Sequence, residues 1–501
     1  MTYDARLAEF KELVKKIEYI KYTLNGLIYW DKITYMPKDG IGYRSQVMSF
    51  LADEQYKLFA GDIFRSHVEY FDGNRRNDTV TDAMIRRIKR NSRYVSRIPE
   101  AEYRAYIELI AVSEQIWAEA GEKKDFLLFY PQLVKIIDCF QKFAEYWGYE
   151  EDPYDALLGY YEEEMTVSKI DPIVQELKTF LIEFIARIEK EGRVKNEWKQ
   201  NYTVDKHRQE KLWETIISKI GFDFDRGRLD TGSHTTILAN SPFDVRIVNT
   251  YSERELKTGI FNALHSCGKG IYQQSIDPKL LGTLLCDVSS FAMEESIGRF
   301  YENMIGRNRG FWSCFIEEAK KIIPELEDSS PQLLFEKGNL MHPSATRIDA
   351  DELTYLVHVI IRYELERDLI NGKIRVKDLP ELWKEKYRTY LGVTPQNDGE
   401  GVLQDIHWAA GYIGYFPSYF LSNLWAAQFA AAIEREVGSL ETLTGRGEFD
   451  QINRWLTEKV YQYGAIYSSE ELIRSATGEP LSSKYYIDYL RKKYSEVYKL
   501  N

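Results

Sequence analysis

Cysteine is scarce: the 501 residues hold four, at Cys139, Cys267, Cys286 and Cys314. They are too few and too scattered for a disulfide framework or a Cys-x-x-Cys metal knuckle, which points to a reducing, cytoplasmic setting. Positive charge is also in deficit. Lys and Arg total 66 against 78 Asp and Glu, a formal net charge of −12. That balance argues against a nucleic-acid binder, whose affinity rests on a basic footprint, and gives no attraction to an anionic membrane surface. There is no low-complexity tract and no Gly/Ser linker, so residues 1–501 read as one domain. The first residues, MTYDARLAEFKELVKKIEYI, mix charges and lack an apolar run, so no signal peptide is expected there. One uncharged run, Ile406 to Ile433, exceeds the roughly 18 residues that make a membrane-span candidate. It contains His407, Gly411, Gly414, Pro417, Asn423 and Gln428, and reads as a buried central element.

What is present is helical periodicity and enough apolar mass, 44% of residues, for a large core. Phe10, Leu13, Val14, Ile17, Ile20 and Leu24 recur at three and four residues and share one helix face. Asp171-Pro172 reads as an N-cap followed by Pro at the first helical position, and Ser483 as the cap of a last helix. One strand signal stands out. Thr235 to Tyr251 predicts a hairpin turning at Ala239-Asn240-Ser241-Pro242. Directly after it, Ser252 and Glu255 form an S-x-x-E capping box opening a helix over 252–275. The expected fold is mainly α: one large helical domain, with one small β-sheet next to the helix that carries His265.

That helix reads Leu264-His265-Ser266-Cys267-Gly268-Lys269. A zinc peptidase helix needs His at i and i+4 to aim two imidazoles at one metal, and Glu at i+1 to take a proton from the bound water. Here i+1 is Ser and i+4 is Lys, so the helix alone does not make a metal site.

Its surroundings resemble a known family. Trp30-Asp31, Met36-Pro37, Tyr154-Asp155-Ala156-Leu157-Leu158 with Tyr161-Glu162, and Asp244-Val245-Arg246 match motifs in order along the chain. So do Arg299 with Glu302-Asn303, Arg347 with Ala350-Asp351, and Gly478-Glu479-Pro480 with Tyr489-Leu490. Gly401-Val402-Leu403-Gln404-Asp405-Ile406-His407-Trp408 reproduces G-x-x-Q-D-x-H-W in full, and Gly414 to Tyr419 most of the tyrosine-bearing segment that follows. Together they resemble the Taq-type HExxH metallocarboxypeptidases. The resemblance implies a helical fold with a deep central cleft, a homodimer, zinc or cobalt as cofactor, and removal of C-terminal residues from peptides by a metal-activated water. It places the first metal ligand at His265, the general base at Ser266, the second ligand at Lys269 and the third at Glu295. It also places His407, Tyr415 and Tyr419 in the cleft, and the H-P-F motif at His234-Thr235-Thr236. His234, Arg246 and Arg347 become candidate substrate-binding residues, the two arginines for a C-terminal carboxylate through a bidentate fork.

The departures fall on the chemistry. A Lys ammonium has three donors and no acceptor, and would have to lose its proton beside a dication to ligate it. Only His265 and Glu295 remain of the family ligands, below the three of a catalytic zinc. Ser266 is not expected to act as a base, and losing that base typically costs about 10²–10⁴ in rate. The expectation is that no metal binds tightly. The Lys269 ammonium would take the metal's place and pair with Glu295 and with Glu294. The chain then reads as a peptide-binding or regulatory relative that has lost catalysis. The alternatives are an active carboxypeptidase with an atypical metal site, and a non-metal hydrolase using the same cleft through Cys267 or Lys269.

Overall fold

The computed structural model describes residues 1–194, 202–232 and 235–500. The chain opens with α1 (Tyr3–Lys21), where the Thr2 hydroxyl accepts from Ala5 N and Phe10, Val14 and Ile17 are buried. The next long helix, α2 (Ile41–Ala60), buries no residue fully. Further on come α3 (Pro153–Tyr161) and α4 (Val167–Glu191). The expected cap at Asp171-Pro172 is not the start of α4, which begins five residues earlier with Thr166 as its N-cap. Asp171 instead accepts bonds from Tyr363 and Arg367, a long-range use that competes with local capping.

A three-stranded sheet follows: β1 (Gly227–Thr231), β2 (Thr236–Ser241) and β3 (Asp244–Asn249), in the order β1-β3-β2. β2 and β3 form the expected antiparallel hairpin, though β2 runs on through Ser241 and the turn falls at Pro242-Phe243. β1 was not foreseen. It pairs parallel to β3 at the sheet edge, and its only large apolar residue is Leu229, which leaves no alternating pattern to read.

The sheet packs on α5 (Leu256–Gln274), and α5 packs on α6 (Phe291–Arg299). The S-x-x-E box does not form. Ser252 and Glu255 make a turn just ahead of α5, with the Glu255 N–H on the Ser252 carbonyl at 3.3 Å, and no side chain caps the helix. Glycines set how closely these elements approach. A Cβ at Gly268 would lie 2.5 Å from the Tyr301 ring and 2.9 Å from the Ile297 carbonyl oxygen. One at Gly298 would lie 2.6 Å from the His265 ring. Nothing bulkier than hydrogen fits at either contact, and this brings the side chains of α5 across to those of α6.

Among the remaining helices, three border the site: α7 (Glu352–Ile370), α8 (Phe416–Glu436) and α9 (Lys484–Tyr498). The uncharged run becomes turns over 406–415 and then α8, which is buried over nearly its whole length. Among the described residues no helix is long and apolar enough to cross a membrane. Ser483 stands at the N-cap of α9, but its hydroxyl donates to Glu176 rather than accepting from the helix. The buried side chains from Tyr3 to Tyr498 form one connected core, as a mainly α single domain requires.

Candidate functional site

Four residues of α5, Lys257, Phe261, His265 and Lys269, recur every fourth position and share one face. That face lines a cleft of about 1600 Å³ whose other walls come from α6, α7, α8 and β2. Its floor is a network of charges. Lys269 Nζ donates to Glu295 Oε2 at 2.6 Å. His265 Nε2 stands 3.3 Å from the same oxygen, and its Nδ1 3.2 Å from Glu302 Oε2. Arg299 bridges Glu295 Oε1 at 3.3 Å and Glu302 Oε2 at 3.1 Å, and Arg307 reaches Glu302 Oε1 at 3.1 Å. Every one of these side chains is at most 16% exposed.

Burial alone would raise the pKa of Glu295, but Lys269 and His265 beside it hold the carboxyl well below its ordinary range. Burial would likewise drive the proton off Lys269, and Glu295 and Glu294 keep it on. Glu302 is held ionised by Arg299, His265 and Arg307. Glu294 forms no ion pair with Lys269, contrary to the expectation; it accepts from Gln273 Nε2 at 2.9 Å. It lines the same cleft, and its charge acts on Lys269 without direct contact.

These residues do not fit a catalytic metal. The ligand set would be His265 and Glu295 alone, and the shared Glu295 oxygen is already bonded to an ammonium. Among the described residues no cluster of three His, Cys, Asp or Glu side chains could hold one. Glu295 and Glu302 face three fixed cations, Lys269, Arg299 and Arg307. Counting Glu294 only balances the charge, so no excess negative potential draws a dication. Ser266 is buried and lines the cleft next to His265. Cys267 faces the core, fully buried, with its thiol pKa pushed up by burial. That removes it as the nucleophile of a non-metal hydrolase.

On the opposite wall, Tyr415 and Tyr419 line the cleft, their rings edge-to-face at 5.0 Å. His407 does not reach it. It packs behind them, with Nε2 3.4 Å from the Tyr419 hydroxyl, and burial lowers its pKa to about 4. Arg347 lines the cleft, but its Nε and Nη2 are spent on Asp405 Oδ1 at 3.0 and 2.7 Å. Arg246 stands away from the cleft lining. Its fork closes on Asp244 at 2.7 and 3.0 Å, because residues i and i+2 of a strand share a face, and its guanidinium covers the Trp30 ring. His234 lies outside the described residues.

Sequence reading missed the part that Glu302 and Arg307 play. Glu302 was legible, since 295, 299 and 302 follow i, i+4, i+7 and fall on one helix face. Arg307 was not, because a π-helical turn over Phe300–Gly306 intervenes.

Two buried carboxylates hold this architecture in place. Glu162 accepts from Ala292 N and from Ser418 Oγ, both at 2.9 Å, and so ties the start of α6 to α8. Glu366 accepts from Tyr154, Trp408 and Gly414, which anchors the segment leading to Tyr415; burial raises its pKa to about 7.

The model of the Taq carboxypeptidase (M32) metallopeptidase family matches residues 9–494. The chain belongs to this family. Carboxypeptidase 1 of Bacillus subtilis is 38% identical, over 98% of each chain. Thermostable carboxypeptidase 1 of Thermus thermophilus is 34% identical, over 99% of this chain and 100% of its own. Among solved structures, BsuCP superposes with a TM-score of 0.90 at 38% identity, over 99% of this chain and 100% of its own. The Apo-Mg form of the Pyrococcus furiosus carboxypeptidase superposes with a TM-score of 0.95 at 31% identity, over 99% of each chain. The similarity to the carboxypeptidase structures thus runs over nearly the whole chain.

Proposed function

We propose that this M32 chain keeps the family's peptide cleft and has exchanged the metal ion for the Lys269 ammonium, so that it binds peptide C-termini without hydrolysing them. The observation that carries this reading is the 2.6 Å contact between Lys269 Nζ and Glu295 Oε2, with His265 on the same oxygen. This fixed cation adds to Arg299 in neutralising the buried Glu295 carboxylate. Ser266 supplies no general base, and the cleft walls with Tyr415, Tyr419 and Arg347 stay in place to hold a chain end.

Metal content and turnover test it together. The purified protein is assayed for bound metal, then given zinc or cobalt while C-terminal residues released from a blocked dipeptide are followed. The expected result is substoichiometric metal and no turnover. Stoichiometric metal with chelator-sensitive turnover overturns the proposal.

The reading extends to a cytoplasmic homodimer. The four cysteines are all free, which supports a reducing compartment. Tyr43 and Phe50, seven residues apart on α2, are 76% and 63% exposed and offer an apolar face for a second copy. Light scattering of the natural chain and of Phe50→Glu tests the pairing.

A further inference from the structure

Six Lys and Arg side chains line the cleft among the described residues, and four have fixed acceptors. Lys269 and Arg299 are held by Glu295, Arg307 by Glu302, and Arg347 by Asp405. Arg254 stands exposed at the mouth. Lys257 is different. It is half-buried, and among the described residues no carboxylate or other acceptor bonds to its ammonium. Its neighbouring acids are occupied or solvated. Asp351 accepts from His342 N, Leu353 N and Thr354, Glu302 is shared by His265, Arg299 and Arg307, and Glu255 is exposed. Burial, with the Arg307 cation close by, lowers the Lys257 pKa to about 8. A desolvated cation without a counter-ion is costly, and a ligand anion would supply one.

We infer that Lys257 is an acidic-residue subsite: the cleft selects peptides that place a Glu or Asp side chain on this ammonium. The inference rests on the peptide-binding reading above and adds the ligand's chemistry to it. Lys257 and His265 are eight residues apart on one face of α5, about 12 Å along the axis. An extended peptide covers that distance in roughly three to four residues. The acidic side chain therefore belongs three or four residues from the one lying over His265.

The test is fluorescence anisotropy with labelled alanine hexapeptides carrying one Glu at each position in turn, each paired with the Gln peptide of the same position. At one position the Glu peptide should bind roughly tenfold more tightly than its Gln partner. Lys257→Gln should abolish that ratio, Lys257→Arg should retain it, and Lys257→Glu should turn the preference toward a Lys peptide. Unfolding curves establish that each variant is folded. Equal binding of Glu and Gln peptides at every position overturns this inference alone, as does a preference that survives in Lys257→Gln. Binding of no peptide overturns the peptide-binding reading and this inference with it.

Discussion

On one wall of the cleft Glu295 and Glu302 face Lys269, Arg299 and Arg307; behind the other, Asp405 faces Arg347 and the buried Arg362. Both are buried networks of carboxylates and cations. The second sits in a G-x-x-Q-D-x-H-W segment kept in full, and its charges pair among side chains of that motif and its neighbours. Arg362, wholly buried, closes on Asp405 Oδ2 at 2.6 Å and on Gln404 Oε1 at 2.7 Å. The first includes Lys269, which by the family resemblance stands where a second histidine ligand is expected. An arginine fork fixes direction, whereas a lysine ammonium is a point charge on a flexible stem. The contrast teaches that buried carboxylates can be neutralised by a lysine together with arginines as well as by arginines alone.

The largest expected effect tests whether the retained wall is as tightly coupled as its geometry says. Asp405→Asn orphans two buried guanidinium groups and should cost about 3–5 kcal/mol in urea unfolding. A loss under about 1 kcal/mol would mean that solvent screens the network, and the comparison would fail. Next comes zinc. The paired substitution Ser266→Glu with Lys269→His restores the motif on the altered wall. Zinc at a hundred times its Kd should then stabilise the double variant by about 2.7 kcal/mol and leave the natural chain unmoved. Equal response of the two proteins would show that more of the wall has drifted than α5 reveals. Glu295→Gln should cost less, about 1.5–3 kcal/mol, because Arg299 and His265 keep Glu302 and only Lys269 loses its carboxylate.

The smallest effect is in pH. Glu295 binds its proton more weakly folded than unfolded, so its stabilisation is complete above the ordinary value of 4.5 and is lost as pH falls below it. The stability gap between the natural chain and Glu295→Gln should be flat above about pH 5 and close in acid. A gap that instead widened in acid would place the proton elsewhere in the network.

Much of this comparison was legible from the chain alone. His265, Lys269 and Glu295, singled out against the surrounding motifs, do come together, and the 235–251 pattern located the hairpin beside them. The partners of the arginines were not legible. Nothing in a linear reading tells that Arg347 spends its fork on Asp405, or that His407 packs behind Tyr419, because both are tertiary contacts that no local periodicity encodes. Local rules failed for a related reason. Asp171 and Ser483 look like caps, and distant partners claim their side chains. β1 escaped because an edge strand with one apolar residue carries no periodic signal.

The most direct test of the central claim is a crystal of the natural chain grown with excess zinc and measured at the zinc absorption edge. The account predicts Lys269 Nζ within hydrogen-bond distance of Glu295 and no anomalous peak between His265 and Glu295. A fully occupied metal peak there, with the lysine turned out into the cleft, would contradict it.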